Sequence, residues 1–194
     1  MSNALKYDFF DDSVRMEKIG GHTVMLAPPS PVPNHASAAM NIGRILSNYL
    51  RGKACRVWQG NVDVVLSEND TFIPDVVVVC NPKIVYDGAI NGAPDLVVEI
   101  LSPSTSKRDR GVKKDAYERY GVKEYWIVSV AEKSIEVYLL DNGRYFLDNT
   151  YSVYPDYELA RMTDDERAQV QMEFKTSIFD DLIISVEEVF EKVE

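Results

Sequence analysis

Pro74-Asp75-Val76-Val77-Val78-Val79-Cys80 and Pro94-Asp95-Leu96-Val97-Val98-Glu99-Ile100-Leu101 decide the fold of this chain. Both runs are apolar at odd and even positions alike, the pattern of central strands covered on both faces rather than of strands with one wet side. Each also carries an acid where acids are rare. Asp75 opens the first run and Glu99 sits inside the second. Burying a carboxylate without a partner is costly, so a cation, a metal ion or hydrogen-bond donors must await these two side chains. If the runs pair antiparallel about the midpoint of their connection, Asp87, then Asp75 stands opposite Glu99. Opposed residues on neighbouring strands share a face and lie about 4.5–5.5 Å apart at Cβ, where two like charges repel unless a cation separates them. Mg²⁺ (or Mn²⁺), held by one or two carboxylates plus waters, suits that arrangement and serves phosphodiester chemistry. The plainer alternative makes Asp75 a strand cap and pairs Glu99 with an arginine. Asp95, which also follows a proline, reads as a turn or cap residue.

Outward from these strands, residues 14–19 alternate as a strand, Gly20-Gly21 turns the chain, and residues 23–26 return, giving an N-terminal hairpin. Pro28, Pro29, Pro31 and Pro33 end it. Asn34 reads as an N-cap, followed by Ala39, Met40, Ile42, Ile45, Leu46, Tyr49 and Leu50 at helical spacing. Strand-like runs follow at 56–59 and 62–66, a polar helical stretch at 107–120, a strand at 124–128, and a hairpin of 135–139 with 145–147 around Asp141-Asn142-Gly143. Residues 163–168 read as helical or irregular, and a short helix capped by Ser185 comes last. The expected architecture is α/β: one domain over 1–194, with a mixed β-sheet flanked by helices, an N-terminal hairpin and extra C-terminal strands.

The composition, with 194 residues, 45% apolar and 27% charged, is that of a globular domain and excludes disorder for most of the chain. No apolar run reaches the length of a membrane helix, and residues 1–7 lack a signal-peptide pattern, so the expectation is a cytoplasmic protein without a membrane partner. Cys55 and Cys80 lie in apolar stretches and are expected as buried free thiols; neither they nor His22 and His35 have zinc-site spacing. The net charge of −10 argues against simple coating of nucleic acid. Charge is nevertheless balanced through residue 130, and the acidic excess lies beyond it. Lys107, Arg108, Arg110, Lys113, Lys114, Arg119 and Lys123 form one basic stretch, either a phosphate-facing patch or a solvated helix face.

Within that stretch Lys113, Tyr117 and Tyr120 share one helical stripe, while Lys114 and Glu118 form a separate, solvent-facing pair. Packed on the sheet, the stripe delivers the Lys113 ammonium to the carboxylates, to orient water or to stabilise charge on phosphate. Otherwise Lys113 is a lysine stem covering apolar surface. Ser102-Pro103-Ser104-Thr105-Ser106 leads into the helix and reads first as capping, with phosphate binding as the alternative. Serine-hydrolase, P-loop and dinucleotide-loop motifs are absent, which counts against acyl transfer, NTP hydrolysis and hydride transfer.

Pro74-Asp75 with its valines, the run from Pro94 to Thr105, Asp109-Arg110-Gly111-Val112-Lys113, Tyr117, and Tyr120-Gly121-Val122-Lys123-Glu124-Tyr125-Trp126-Ile127-Val128 resemble the Uma-type family of restriction endonucleases, within the PD-(D/E)XK nuclease superfamily. The resemblance runs from Met16 through Pro28-Pro29-Ser30-Pro31 and His35 to Val189-Phe190. It implies a restriction-endonuclease-like core, a metal-dependent phosphodiesterase site and DNA as substrate. By that resemblance Asp75 is the motif aspartate and metal ligand, Glu99 the second ligand, and Lys113 the catalytic lysine. Glu17 matches a frequently acidic position of the first strand and adds to the metal shell. Leu101 stands where the superfamily pattern has lysine, so the site is complete only if Lys113 substitutes. Such nucleases often act as homodimers. The competing expectations are a catalytically silent nuclease-like module that binds nucleic acid or protein, and a structural protein whose buried acids pair with Arg108 or Arg110.

Overall fold

The computed structural model describes residues 15–25 and 33–194; Val14, Leu26 and the prolines at 28, 29 and 31 lie outside them, as do residues 1–7. A central sheet is formed by β3 (Arg56–Gln59), β6 (Val76–Val79), β9 (Leu96–Ile100), β10 (Glu124–Ser129), β11 (Ser134–Asp141) and β12 (Arg144–Ser152), in spatial order β12-β11-β10-β9-β6-β3. Only β9 and β10 run parallel, joined by the helical segment between them; the other neighbours are antiparallel. The side chains of β6, β9 and β10 are buried on both faces, in keeping with runs that are apolar at odd and even positions alike, Glu99 and Glu124 being the buried acids among them.

Those faces belong to two cores. Val76, Val78, Leu96, Val98, Ile100, Trp126 and Val128 point to one face, where α1 (Pro33–Leu50) lies with Ala38, Ile42, Leu46 and Leu50 inward. The C-terminal α6 (Val186–Val189), with Ser185 as its cap, and the ribbon β13 (Glu173–Lys175) and β14 (Ile183–Ser185) complete that layer. Val77, Val79, Val97, Tyr125 and Ile127 point to the other face, against Tyr117 and the side chains of a second sheet. This second sheet was not anticipated as a separate layer. It comprises β1 (Met16–Ile19), β2 (His22–Met25), β4 (Val64–Val65), β5 (Thr71–Phe72), β7 (Val85–Tyr86) and β8 (Ala89–Asn91), in the order β2-β1-β5-β4-β8-β7. All six of its strands are two to four residues long, and the two-residue ones are too short to show a period. The N-terminal hairpin is therefore the edge of a sheet rather than an appendage.

The chain from β9 to β10 forms α2 (Ser106–Arg108), a wide π-type turn (Asp109–Lys113) and α3 (Lys114–Tyr120), with a kink at Gly111 (φ −113°, ψ −105°). Gly121 in the left-handed conformation ends α3. Short helices α4 (Asp156–Leu159) and α5 (Asp164–Gln169) follow β12, the second opened by a Thr163–Glu166 capping box. Among the described residues no helix is long and apolar enough to cross a membrane.

Three local expectations change. Met40 faces solvent, because the inward stripe of α1 passes through Ala38, Ala39, Ile42 and Ile45 instead. Asn34 lies inside α1 and hydrogen-bonds Glu194 rather than capping the helix. Cys55 and Cys80 form a disulfide. The β3–β6 register pairs Arg56 with Val79, so the two cysteines are the next opposed pair, a relation that spacing along the chain does not reveal.

Candidate functional site

Strand register builds the site. The β6–β9 ladder pairs Val76 with Val98, Val77 with Val97 and Val78 with Leu96, so its continuation sets Asp75 opposite Glu99 as the connection midpoint indicated. Asp75 Oδ2 accepts the Ile100 N–H at 2.7 Å, which fixes this end of the ladder. The same row runs on through Ile127 to Glu136 across β10 and β11. The acids therefore collect where β9 ends and β6 begins, on the face shared with the second sheet.

Lys113 arrives from the kinked helical segment. Its ammonium lies 2.7 Å from Glu99 Oε1, 2.8 Å from Glu17 Oε1 and 3.7 Å from Asp109 Oδ1. Glu17 comes from β1, so one ammonium ties the two sheets and the helix together. Glu17 Oε1 also accepts the Ile73 N–H, and Glu99 Oε1 accepts the Tyr117 hydroxyl at 3.0 Å. Lys113 and Tyr117 share the stripe that their spacing suggested, and both are buried. Three buried carboxylates around one ammonium leave an excess of negative charge, met in part by Arg108, whose Nε is 3.7 Å from Glu17 Oε2. Glu17 Oε2 and Asp109 Oδ1 are buried without a hydrogen-bond partner. Burial pushes the Glu99 and Asp109 carboxyls above the usual range against the pull of Lys113. Burial disfavours the Lys113 charge, but Glu99, Glu17 and Asp109 outweigh it and hold the group protonated.

Asp75 sits at the rim, its side chain 26% exposed, with His35 Nε2 3.4 Å from Oδ2. The same nitrogen is 3.0 Å from the Ile100 carbonyl oxygen. The hydrogen bond to Asp75 raises the His35 pKa against the opposing effect of burial.

The structure thus gathers Glu17, Glu99 and Lys113, and places Asp75 beside Glu99. His35, Asp109, Tyr117 and Arg108 join them. Asp109 was legible as the residue four before Lys113; His35, 65 positions from Ile100 in the chain, was not. Neither arginine pairs with Glu99: Arg110 binds Glu136 and Arg108 approaches Glu17. Several cations of the basic stretch are paired with acids, Arg119 with Asp70 and Lys123 with Asp95, while both side chains stay largely exposed. Asp95 also accepts the Cys80 N–H at 2.7 Å, the cap role read for it. Lys114 and Glu118 do not pair. Lys114 lies over the Tyr138 ring at 4.1 Å, and Glu118 binds Arg144 and the Tyr145 N–H, because β12 folds back over α3. Ser102 and Thr105 hydrogen-bond each other, in keeping with a turn leading into the helix.

A divalent ion can be tested against these donors. Among the described residues no three Asp, Glu, His or Cys side chains converge as a ready metal cage, and Lys113 stands between Glu17 and Glu99. The remaining donors do fit. Asp75 and Glu99 are hard oxygen ligands on facing positions, one partly exposed, in surroundings that hold excess negative charge. Two carboxylates completed by waters and phosphate is a usual Mg²⁺ set.

The class of protein comes from the fold. A crystal structure described as a putative nuclease belonging to DUF820, from Anabaena variabilis ATCC 29413, superposes with a TM-score of 0.66 over 90% of this chain and 89% of that one, at 18% identity. This is the restriction-endonuclease-like α/β fold. The chain belongs to the Uma2 family, whose model carries the description "Putative restriction endonuclease" and matches residues 3–169. An uncharacterized protein of Synechocystis sp. (strain PCC 6803) is 29% identical over 136 residues, 69% of this chain; the match spans 65% of that relative's own length.

Proposed function

We propose that this protein is a metal-dependent DNA endonuclease, hydrolysing phosphodiester bonds with Asp75 and Glu99 as ligands of Mg²⁺ or Mn²⁺ and Lys113 as the catalytic lysine. The observation that carries the reading is the placement of Asp75 opposite Glu99 with the Lys113 ammonium on Glu99. When bound, the ion supplies an activated water and offsets charge on the phosphate. Lys113, held protonated by its acids, supplies positive charge to the phosphate and not a base for the water. Glu17 is better read from its contacts as the counter-charge that holds Lys113 than as a third metal ligand. Tyr117 fixes the Glu99 carboxylate from the closed side. A homodimer, presenting two such sites to the two strands of a duplex, and a cytoplasmic location complete the reading.

Incubating the pure protein with DNA and Mg²⁺ or Mn²⁺ beside an Asp75→Ala variant tests it. Metal-dependent cutting by the parent, lost in the variant, is the expected result; equal cutting by both refutes the assignment.

One observation favours a second reading. Acids neutralise much of the basic stretch, which suits a catalytically silent nuclease-like module. Such a module takes up no divalent ion, and calorimetric binding that disappears in Glu99→Gln counts against it.

A further inference from the structure

Among the described residues, His35 reaches this site from the opposite layer. It stands in the first turn of α1, the helix packed on the far face of the central sheet, and reaches the strand ends where the acids collect. The Ile100 carbonyl is an acceptor only, so the nitrogen 3.0 Å from it must carry a proton: Nε2 is the donor. That N–H lies between two oxygens, since Asp75 Oδ2 is 3.4 Å away. Oδ2 is also held at 2.7 Å by the Ile100 N–H. The β9 backbone and the imidazole therefore act on the same oxygen of Asp75, Oδ2, and among the described residues no hydrogen bond holds Oδ1. The Asp75 side chain is 26% exposed, and these two donors both act on its Oδ2.

We propose that His35 is a positioning residue for a hard divalent cation, fixing the Asp75 carboxylate and the Ile100 carbonyl in the orientation that presents Asp75 beside Glu99. The inference rests on the nuclease reading, because it presumes that Asp75 is a ligand. Groups that orient metal ligands in this way, without touching the ion, typically change metal affinity by about 10–100-fold when removed. A purely architectural role, pinning the start of α1 to the end of β9, would show in stability and leave cation affinity unchanged.

Two variants of the full chain separate these roles. His35→Phe keeps a ring and removes the donor, while His35→Gln restores an N–H at similar reach. Titrating MnCl₂ alone into each protein by calorimetry, with melting measured in chelator, gives a readout that does not require cleavage. The expected result is Mn²⁺ affinity about 10–100-fold weaker in His35→Phe and largely recovered in His35→Gln. In cleavage assays the Mn²⁺ concentration for half-maximal activity should rise in His35→Phe, with the saturated rate little changed. Wild-type Mn²⁺ affinity in a folded His35→Phe protein overturns the role of His35 and leaves the nuclease reading standing. No Mn²⁺ uptake by the parent overturns the nuclease reading itself, and this inference with it.

Discussion

The Lys113 ammonium is shared by acids from a strand of each sheet and from its own helical turn. Removing it leaves Glu17, Glu99 and Asp109 buried together with only Arg108 near, and an uncompensated buried charge costs about 3–5 kcal/mol. Lys113→Met should therefore lower unfolding stability by that amount in denaturant titration. Glu99→Gln removes one of three acids crowding one cation and keeps an acceptor for Tyr117, so its cost should be far smaller, or reversed to a gain in chelator. If the two substitutions destabilise equally, the excess of negative charge at this site is not real.

At the scale of elements, the hairpin of β1 and β2 brings Glu17 to Lys113, and its turn is tied down by Asp70. That carboxylate accepts the Gly20 N–H at 2.8 Å, the Tyr120 hydroxyl at 2.8 Å and the Arg119 guanidinium at 3.1 Å. Burial alone would raise its pKa, but these donors outweigh burial and hold it below the usual carboxylate range. A depressed folded value stabilises the protein fully above the unfolded pKa, about 3.9, and the contribution is lost as pH falls through the lower folded value. The stability advantage of the parent over Asp70→Asn should thus be constant above pH about 5 and shrink as pH falls below about 3.9, through the lower folded value. Paired thermal melts across that range check it, and an advantage independent of pH would remove Asp70 as an ionic tether of the hairpin.

For the whole molecule, the central sheet is closed at its β3 edge by Cys55–Cys80, which cross-links the two strands at the end remote from Asp75. A disulfide of this loop length typically contributes about 2–4 kcal/mol, chiefly by restricting the unfolded chain. Reduction, or Cys55→Ala with Cys80→Ala, should lower stability within that range. Alkylating the unfolded protein without reductant should leave both cysteines unlabelled; labelling of both would restore the free thiols that their apolar surroundings suggested.

Local pattern was enough for part of this protein. The valines of β6 and the apolar residues around Glu99 in β9 belong to strands buried on both faces, and the midpoint of the connection between them sets Asp75 opposite Glu99. The spacing of Lys113 and Tyr117 likewise put both on the stripe that faces the sheet, because a helix repeats every 3.6 residues whatever it packs against. The rest depended on tertiary structure. The second sheet was hidden because two-residue strands carry no period, and the Cys55–Cys80 bond because opposition across β3 and β6 is a property of register. His35 met Asp75 only because α1 crosses the far face of the sheet and starts at the strand ends. The sequence determined which side chains are buried and where the chain carries acid; the convergence of groups from β1, α1, β9 and α3 on one place was decided by packing, since no periodicity encodes the distance between residues that lie far apart in the chain.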